Sequence, residues 1–247
     1  EGHLSLVKAA KMVGERVIVS IFVNPLQFGE GEDLESYPRT LEADLEKLRA
    51  LGVSAVFLPK VEEFYPEEDL VVTIHPPKKL IAELCGASRP GHFEGVATVV
   101  TKFFNIVQPD FACFGKKDYQ QLRVIESLVA GLNLDIEIIP VEIERAEDGL
   151  ALSSRNGSLT ERERAKAAEL YAALKSLKEG VEAGGDFRML EALATNTLNQ
   201  NGWKVDYLTL RRQKDLAVAA EGDRALILLA AATLGTTRLL DNLEIEL

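Results

Sequence analysis

The sequence predicts an α/β protein with a doubly wound parallel sheet, followed by a smaller α+β domain. Apolar runs of strand length alternate with amphipathic helical stretches up to about residue 142, which is the pattern of a parallel sheet covered on both faces. After that point helices are followed by strands without alternation, which favours a separate domain. We therefore expect one domain at residues 1–142 and a second at residues 143–247.

The first half of the chain supplies most of the predicted sheet. The predicted elements are a helix from Leu4, strands at 16–23 and 54–59 around a helix at 39–51, a short strand at 71–74, a short helix at 77–84, a glycine-dense loop at 85–95 and a buried apolar helix at 96–107. The helix at 39–51 is expected to end at Gly52, since glycine readily adopts the left-handed conformation of a helix C-terminus. Consecutive strand–helix–strand units of this kind cross over right-handed.

Residues 111–122 (FACFGKKDYQQL) combine a strand, a glycine and a helix start in the pattern of a phosphate-binding turn. An apolar strand breaks at Gly115, where the backbone can approach a ligand, and a helix follows, whose N-terminus attracts phosphate. Lys116 and Lys117 add two cations, while Asp118 and Gln121 share one helix face. The alternative is that Asp118 and Gln121 form a capping box that only closes the helix start. A last parallel strand is predicted at 135–143.

Polar residues at other connections are further candidates for ligand contacts. Asn24 and Gln27 follow the strand at 16–23, and the carboxyl ends of parallel strands are where open α/β sheets bind ligands. The alternative is that both amides satisfy the loop itself. Arg89 and His92 lie in the glycine-dense loop and are expected to face an anion, although a lone histidine is often a structural hydrogen-bonding group.

A polar connection at residues 145–157 opens the C-terminal domain. Ser153, Ser154 and Arg155 together offer two hydroxyl donors and a guanidinium fork to a polyphosphate. These residues alternatively cap the helix that follows. Thr160 and Glu163 already form a capping-box pattern there, so we expect the serines to be free. Helices are predicted to about residue 182 and at 187–200, then strands at 205–210, 225–231 and 237–247.

Composition limits the classes of partner. Lys and Arg total 28 against 39 Asp and Glu, a net charge of −11, which disfavours a nucleic-acid groove. A small anion still needs only a local basic cluster. No apolar run is long enough for a transmembrane helix. The two cysteines have no paired spacing and the three histidines no metal-ligand pattern, so we expect a protein of the reducing cytoplasm.

Six segments occur in the order and spacing of one family. They are residues 22–28 (FVNPLQF), 37–40 (YPRT), 89–93 (RPGHF), 114–121 (FGKKDYQQ), 148–156 (DGLALSSRN) and 234–242 (LGTTRLLDN). In these segments the chain resembles the pantothenate synthetases. The resemblance implies a Rossmann-like ligase of the nucleotidylyl-transferase superfamily. Such an enzyme uses ATP and magnesium to make pantothenate from pantoate and β-alanine through a pantoyl-adenylate intermediate.

The resemblance also implies site residues, by position. His3 is similar to the second histidine of the family's His-x-Gly-His motif and, with Lys117 and Arg155, is expected to be catalytic. The expected ATP contacts are Gly2, His3, Gly115, Lys116, Lys117, Asp118, Glu144, Leu152, Ser153, Ser154 and Arg155. Gln27, Gln121 and Asn24 are expected to bind pantoate or β-alanine, with Arg89 and His92 in secondary roles. Asp44 is the expected carboxylate near magnesium, and a homodimer is the expected assembly.

Three departures from the family pattern affect these expectations. The family has a strand and a Met-Gly-x-x-His segment ahead of Glu1, so we expect that an upstream segment is missing and that the first strand of the sheet is absent. Lys116 and Glu144 replace the usual glutamate and apolar residue. Two rival interpretations stay open: a different adenylyl transferase of the superfamily, or a non-catalytic ATP-binding or dimerising remnant.

Overall fold

A computed structural model describes residues 2–29, 34, 40–66 and 71–247. Of the segments quoted above, residues 37–39 lie outside the described residues. The chain divides into two compact units. The first holds residues 3–116 and 120–141, and the second holds Gly2, residues 117–119 and residues 142–247. The short pieces assigned to the second unit are the ones that carry Gly2 and Lys117.

The N-terminal part alternates helices and parallel strands. Its elements are α1 (Gly2–Val13), β1 (Ile18–Ser20), α2 (Leu41–Ala50), β2 (Ala55–Phe57), α3 (Val61–Phe64), α4 (Lys78–Ile81), α5 (Cys85–Ser88), α6 (His92–Val107), β3 (Phe111–Gly115), α7 (Tyr119–Gly131) and β4 (Glu137–Val141). Short 3₁₀ turns at Pro25–Gln27 and Lys116–Asp118 follow β1 and β3. Gly52 ends α2 with φ +68°, as predicted.

The strands form two parallel pairs in the described part of the chain. Val19 of β1 lies opposite Val56 of β2, and Cys113 of β3 lies opposite Ile139 of β4. These pairs, with the separate antiparallel sheet described below, confirm the predicted α/β class. The strands are shorter than the apolar runs that predicted them.

Two predicted elements of the N-terminal part are wrong. No strand forms at 71–74, because the Ile74 N–H donates to the Thr98 hydroxyl at 2.9 Å and not to a neighbouring strand. The expected loop at 85–95 is largely helical, since α5 and the first turn of α6 occupy it. Gly91 separates these helices with φ +81°, a conformation that favours glycine.

Helix α6 is the buried helix of the first unit, as its apolar sequence predicted. Val96, Val99, Val100 and Phe104 pack into one cluster with residues of α3 and α7. Gly95 lies so close to the 3₁₀ turn that a Cβ there would be 2.3 Å from the Leu26 carbonyl oxygen. Only glycine allows this approach, and it fixes the turn that carries Asn24 and Gln27 against α6.

The second unit combines helices with an antiparallel sheet. Its elements are α8 (Glu161–Ala167), α9 (Glu169–Glu182), α10 (Phe187–Gln200), β5 (Trp203–Arg212), β6 (Ala225–Leu234) and β7 (Thr237–Glu246), with strand order β5-β6-β7. Thr160 forms the predicted capping box with Glu163. The single helix expected up to residue 182 is wrong, since Ala168 separates α8 from α9. Strand β6 is almost entirely buried and forms the centre of the core.

Two further observations concern the environment of the chain. No helix in the part of the chain that the structure describes is both long and apolar enough to cross a membrane. Cys85 and Cys113, both in the described part of the chain, form no disulfide bond with each other. Burial raises the pKa of the Cys113 thiol, which disfavours the reactive thiolate.

Candidate active site

Asn24 is the centre of a buried hydrogen-bond network in the first unit. The residue is 2% exposed and caps the 3₁₀ turn, where its Oδ1 accepts from the Leu26 N–H at 3.3 Å. Its Nδ2 donates to the Gly95 carbonyl and to Gln27 Oε1, both at 3.1 Å. Oδ1 also accepts from the Tyr65 hydroxyl at 2.9 Å. The loop-satisfying alternative is therefore realised for Asn24, whose amide serves the surrounding chain.

Arg89 and His92 converge on the main chain of Gln27. His92 Nδ1 lies 2.9 Å from the Gln27 carbonyl oxygen, and Arg89 Nη2 donates to the same oxygen at 3.5 Å. Arg89 Nη1 lies 3.1 Å from His92 Nε2. Since a guanidinium only donates and a carbonyl only accepts, His92 is neutral in this arrangement and carries its proton on Nδ1. His92 is buried, and its hydrogen bond to the Gln27 carbonyl supports the 3₁₀ turn Pro25–Gln27.

Gln121 lies in the first turn of α7, next to a glutamine that joins this turn to two other helices. The neighbouring Gln120 is buried, and its Oε1 accepts from the Cys85 N–H at 3.0 Å. Its Nε2 donates to the carbonyls of Leu80 and Glu83, each at 2.9 Å. Gln120 thereby fixes α4 and α5 to the start of α7. The half-buried Gln121 side chain has no hydrogen-bond partner within the described residues, which leaves its amide available to a ligand.

The phosphate candidates after β3 occupy the 3₁₀ turn Lys116–Asp118. Lys117 Nζ lies 3.8 Å from Asp118 Oδ2, with the two side chains 20% and 49% exposed. No hydrogen bond joins the Asp118 side chain to Gln121 in the described part of the chain, so the capping-box alternative is not formed. Gly115 ends β3, and its nearest side-chain atom, on Leu6, is 3.9 Å from a Cβ built there.

The main chain of Lys117 is hydrogen-bonded to strand β7 of the second unit. The Asn242 side chain donates to the Lys117 carbonyl at 3.0 Å. Next to Asn242, the Asp241 carboxylate accepts two hydrogen bonds of 2.8 Å from Arg145. Arg145 also donates to the carbonyls of Gly149 and Asn242 and stacks on the Tyr171 ring at 3.8 Å. This bidentate, stacked arrangement is one that only arginine provides.

The remaining candidates for ATP contacts lie in two places, in the segment that Arg145 holds and at the start of α1. The Glu144 side chain is exposed, and the main-chain carbonyl of Glu144 accepts from the Leu152 N–H at 2.9 Å. A Cβ at Gly2 would lie 3.3 Å from the Leu152 carbonyl oxygen, so Gly2 lies beside this segment. His3 is exposed in the first turn of α1.

The two serines differ in their local roles. Ser153 caps the 3₁₀ turn Ser154–Ser158, and its Oγ accepts from the Arg155 N–H at 3.3 Å. The expectation that Ser153 is free of capping is therefore wrong, because the 3₁₀ turn needs a cap before Thr160 supplies one for α8. Its hydroxyl proton can still be donated to a ligand. Ser154 is exposed at the first position of the turn.

Asp44 is the only carboxylate that the sequence proposed for magnesium. It lies in the first turn of α2 and accepts a hydrogen bond of 3.0 Å from the Thr40 hydroxyl. The described residues contain no group of three or more His, Cys, Asp or Glu side chains that could hold a metal ion. Magnesium needs few protein ligands when phosphate oxygens and water complete its shell, so a single carboxylate is compatible with a nucleotide-bound ion.

Comparison with known proteins identifies the family. The family model described as Pantoate-beta-alanine ligase matches residues 1–244. The chain belongs to the pantoate-β-alanine ligase family. It is 56% identical to the pantothenate synthetase of Laribacter hongkongensis over 246 residues, covering 99% of this chain and 88% of that protein. It is 57% identical to the enzyme of Neisseria meningitidis strain FAM18, covering 100% and 89%.

Solved structures agree with this assignment. Pantothenate synthetase from Thermus thermophilus superposes with a TM-score of 0.95 at 42% identity, covering all of this chain and 89% of that one. Pantoate-β-alanine ligase from Francisella tularensis, solved in complex with β-γ ATP and β-alanine, matches with a TM-score of 0.83 at 35% identity, covering 98% and 84%. These comparisons confirm the resemblance stated from the sequence motifs, and they favour the ligase over both rival interpretations.

The structure of this member of the pantoate-β-alanine ligase family adds residues that sequence analysis missed. They are Tyr65, Gln120, Arg145, Asp241 and Asn242 as supports of the candidate contacts. A signal existed for Asp241 and Asn242, because two polar residues inside an apolar strand must be paired when buried. Tyr65 and Gln120 had no such signal, since their partners are distant in sequence.

Proposed function

We propose that this chain makes pantothenate in two half-reactions at the residues described above. The carboxylate of pantoate attacks the α-phosphorus of ATP, which forms pantoyl adenylate and releases pyrophosphate. The amine of β-alanine then attacks the acyl carbon, loses a proton and displaces AMP. The observation that carries this proposal is the match of residues 1–244 to the pantoate-β-alanine ligase family.

The cationic residues are proposed to act on the phosphates. Lys117 and Arg155 neutralise the charge that develops on the leaving pyrophosphate, while Ser153 and Ser154 donate hydrogen bonds to phosphate oxygens. His3 acts as the active-site acid at the N-terminus of α1, where the helix dipole also favours an anion. What supports these roles is the local geometry: Asn242 anchors the Lys117 main chain, and Arg155 lies in the 3₁₀ turn that Ser153 caps.

Main-chain groups are proposed to complete the nucleotide contacts. Gly2 and Gly115 allow close approach of backbone to phosphate, since neither carries a side chain. The contact between Glu144 and adenine is through the main chain, so its unusual side chain is tolerated. Further ATP contacts are proposed for Lys116 and Asp118, in the 3₁₀ turn after β3, and for Leu152, which is hydrogen-bonded to Glu144.

The amides of Gln27 and Gln121 are proposed to bind pantoate. Each side chain has hydrogen-bonding capacity left after its contacts with the described residues. Positioning the pantoate carboxylate against the α-phosphorus supplies much of the acceleration, because the reaction within the complex is effectively unimolecular. Asn24, Arg89 and His92 act in support of Gln27.

Magnesium is proposed to enter with ATP. It would neutralise phosphate charge, and we propose Asp44, which accepts from the Thr40 hydroxyl, as a protein carboxylate near it. A titration of activity against magnesium in Asp44→Asn and in the unaltered protein tests this contact. An unchanged magnesium requirement in Asp44→Asn would remove Asp44 from the metal site.

The cellular context is proposed from the sequence. We infer a cytoplasmic homodimer that has neither nucleic-acid nor membrane partners, with residues 143–247 acting as a lid. The acidic net charge of −11 supports the absence of nucleic acid, since phosphate backbones bind cationic surfaces. Analytical ultracentrifugation measures the assembly, and a monomer across the working concentration range would contradict the dimer.

The decisive experiment is an assay of AMP release with ATP, magnesium and pantoate, with and without β-alanine. We expect AMP to require both pantoate and β-alanine, and pyrophosphate to form with pantoate alone in a single turnover. ATP binding without any pantoate-dependent product would contradict the proposed reaction.

A further inference from the structure

The orientation of the Asn24 amide is fixed by main-chain groups. A main-chain N–H only donates and a main-chain carbonyl only accepts. The atom 3.3 Å from the Leu26 N–H is therefore the amide oxygen, and the atom 3.1 Å from the Gly95 carbonyl is the amide nitrogen. The amide cannot be reversed without losing both contacts.

Two further partners complete the hydrogen bonding of the Asn24 amide. Because Oδ1 carries no hydrogen, the Tyr65 hydroxyl must donate to it at 2.9 Å. Because Nδ2 has only hydrogens to offer, the Gln27 atom 3.1 Å away must be the oxygen Oε1. An asparagine amide has two donors and two acceptor positions, so Asn24 has none left for a ligand.

This network determines what Gln27 can present. Its oxygen is turned toward Asn24, so the outward end of the amide is Nε2, which has no hydrogen-bond partner among the described residues. The main chain of Gln27 is also held, since its carbonyl accepts from His92 at 2.9 Å. Gln27 is therefore fixed as a hydrogen-bond donor to an oxygen of its ligand.

Tyr65 is itself held rigidly. Its ring packs against Phe64 and Phe22 at centroid distances of 5.4 and 6.1 Å, and Lys102 Nζ lies 5.0 Å from its centroid. Burial raises the pKa of the Tyr65 hydroxyl to about 12. The hydroxyl consequently stays protonated and able to donate at any physiological pH.

We propose that Tyr65 is a positioning residue which, through Asn24, holds the Gln27 amide in the orientation that donates to an oxygen of the bound pantoate. Tyr65 touches no reacting atom in this proposal. Its hydroxyl stabilises the Asn24 oxygen, and Asn24 in turn holds the Gln27 oxygen away from the ligand. The inference rests on the proposed function, since it assigns pantoate to Gln27.

The test is a double-mutant cycle on the full chain with Tyr65→Phe, Gln27→Ala and the double variant. Tyr65→Phe removes one hydroxyl and keeps the ring. We expect kcat/KM for pantoate to fall about 3- to 10-fold, the scale of one net hydrogen bond, while KM for ATP stays within about twofold of the unaltered protein. We expect the same substitution to have no further effect on pantoate in the Gln27→Ala background.

Other outcomes overturn the proposal in separate ways. Equal losses for pantoate and ATP, or a fall in thermal midpoint with unchanged kinetics, would give Tyr65 a purely structural role. A full additional loss in the Gln27→Ala background would mean that Tyr65 does not act through Gln27. The unaltered protein is assayed first for AMP formation, so that failure of the proposed reaction is recognised independently.

Asn24→Asp provides a second variant with a stronger effect. A carboxylate cannot donate to Gln27 Oε1, so Gln27 would turn its Nε2 inward and face the ligand with its oxygen. We expect pantoate binding to weaken by more than about 10-fold, because oxygen would then meet oxygen at the ligand. Isothermal titration with pantoate measures this, and unchanged affinity in a folded Asn24→Asp protein would overturn the relay.

Discussion

The Asn242 side chain donates a hydrogen bond of 3.0 Å to the main-chain carbonyl of Lys117, a residue 125 positions earlier in the sequence. Asn242 is 3% exposed and follows Asp241 on β7. The bond ties the candidate phosphate-binding turn to the core sheet of the second unit. The main-chain position of Lys117 is thereby set by a strand that never contacts the reacting atoms in our proposal.

We expect Asn242→Ala to lower kcat/KM for ATP about 10- to 100-fold, because small displacements of a positioned group are costly in catalysis. Steady-state kinetics with ATP varied measures this effect. Asn196→Ala is the matched control, since Asn196 is exposed on α10. Kinetics of Asn242→Ala equal to those of the control would show that the bond does not position Lys117.

Breaking the Arg145–Asp241 pair should destabilise the protein. The two side chains are 17% and 3% exposed, so Arg145→Met leaves a buried carboxylate without its partner. We expect the free energy of unfolding in urea to fall by about 3–5 kcal/mol. In Arg164→Met, which breaks the exposed pair with Asp148, the loss should be about 1 kcal/mol or less. Equal losses in the two variants would contradict the buried-pair argument.

Lys117→Ala should lower turnover by about 10²–10³-fold, the scale for losing a donor that stabilises developing charge. Its ammonium is 3.8 Å from Asp118 and has no stronger carboxylate partner in the described residues. Lys204→Ala, an exposed change on β5, is the control for a general loss of positive charge. Unchanged turnover in Lys117→Ala would remove Lys117 from the phosphate role.

Gln121→Ala should raise KM for pantoate far more than KM for ATP. The side chain is half-buried on α7 and forms no cap with Asp118, so a ligand contact accounts for it better than helix capping. Initial rates with each substrate varied in turn give both constants. Equal increases for pantoate and ATP would assign Gln121 a structural role at the helix start.

Local pattern predicted most elements of this fold. The alternation of apolar runs and helical stretches predicted the parallel strands, and α10 spans the predicted range, Phe187–Gln200. The Thr160 capping box was also correct. These features depend on residues a few positions apart. The strand expected at 71–74 failed because Ile74 binds a side chain of α6, which no local pattern reports.

The sequence by itself determined the fold class, the family and the segments that carry the candidate contacts, because each depends on short motifs in a fixed order. Only the tertiary structure decided which polar side chains still have hydrogen-bonding capacity to offer a ligand. Asn24 is saturated by Tyr65, Leu26, Gly95 and Gln27, whereas Gln27 keeps its amide nitrogen. The physical reason is that hydrogen-bond capacity is consumed by partners from distant parts of the chain.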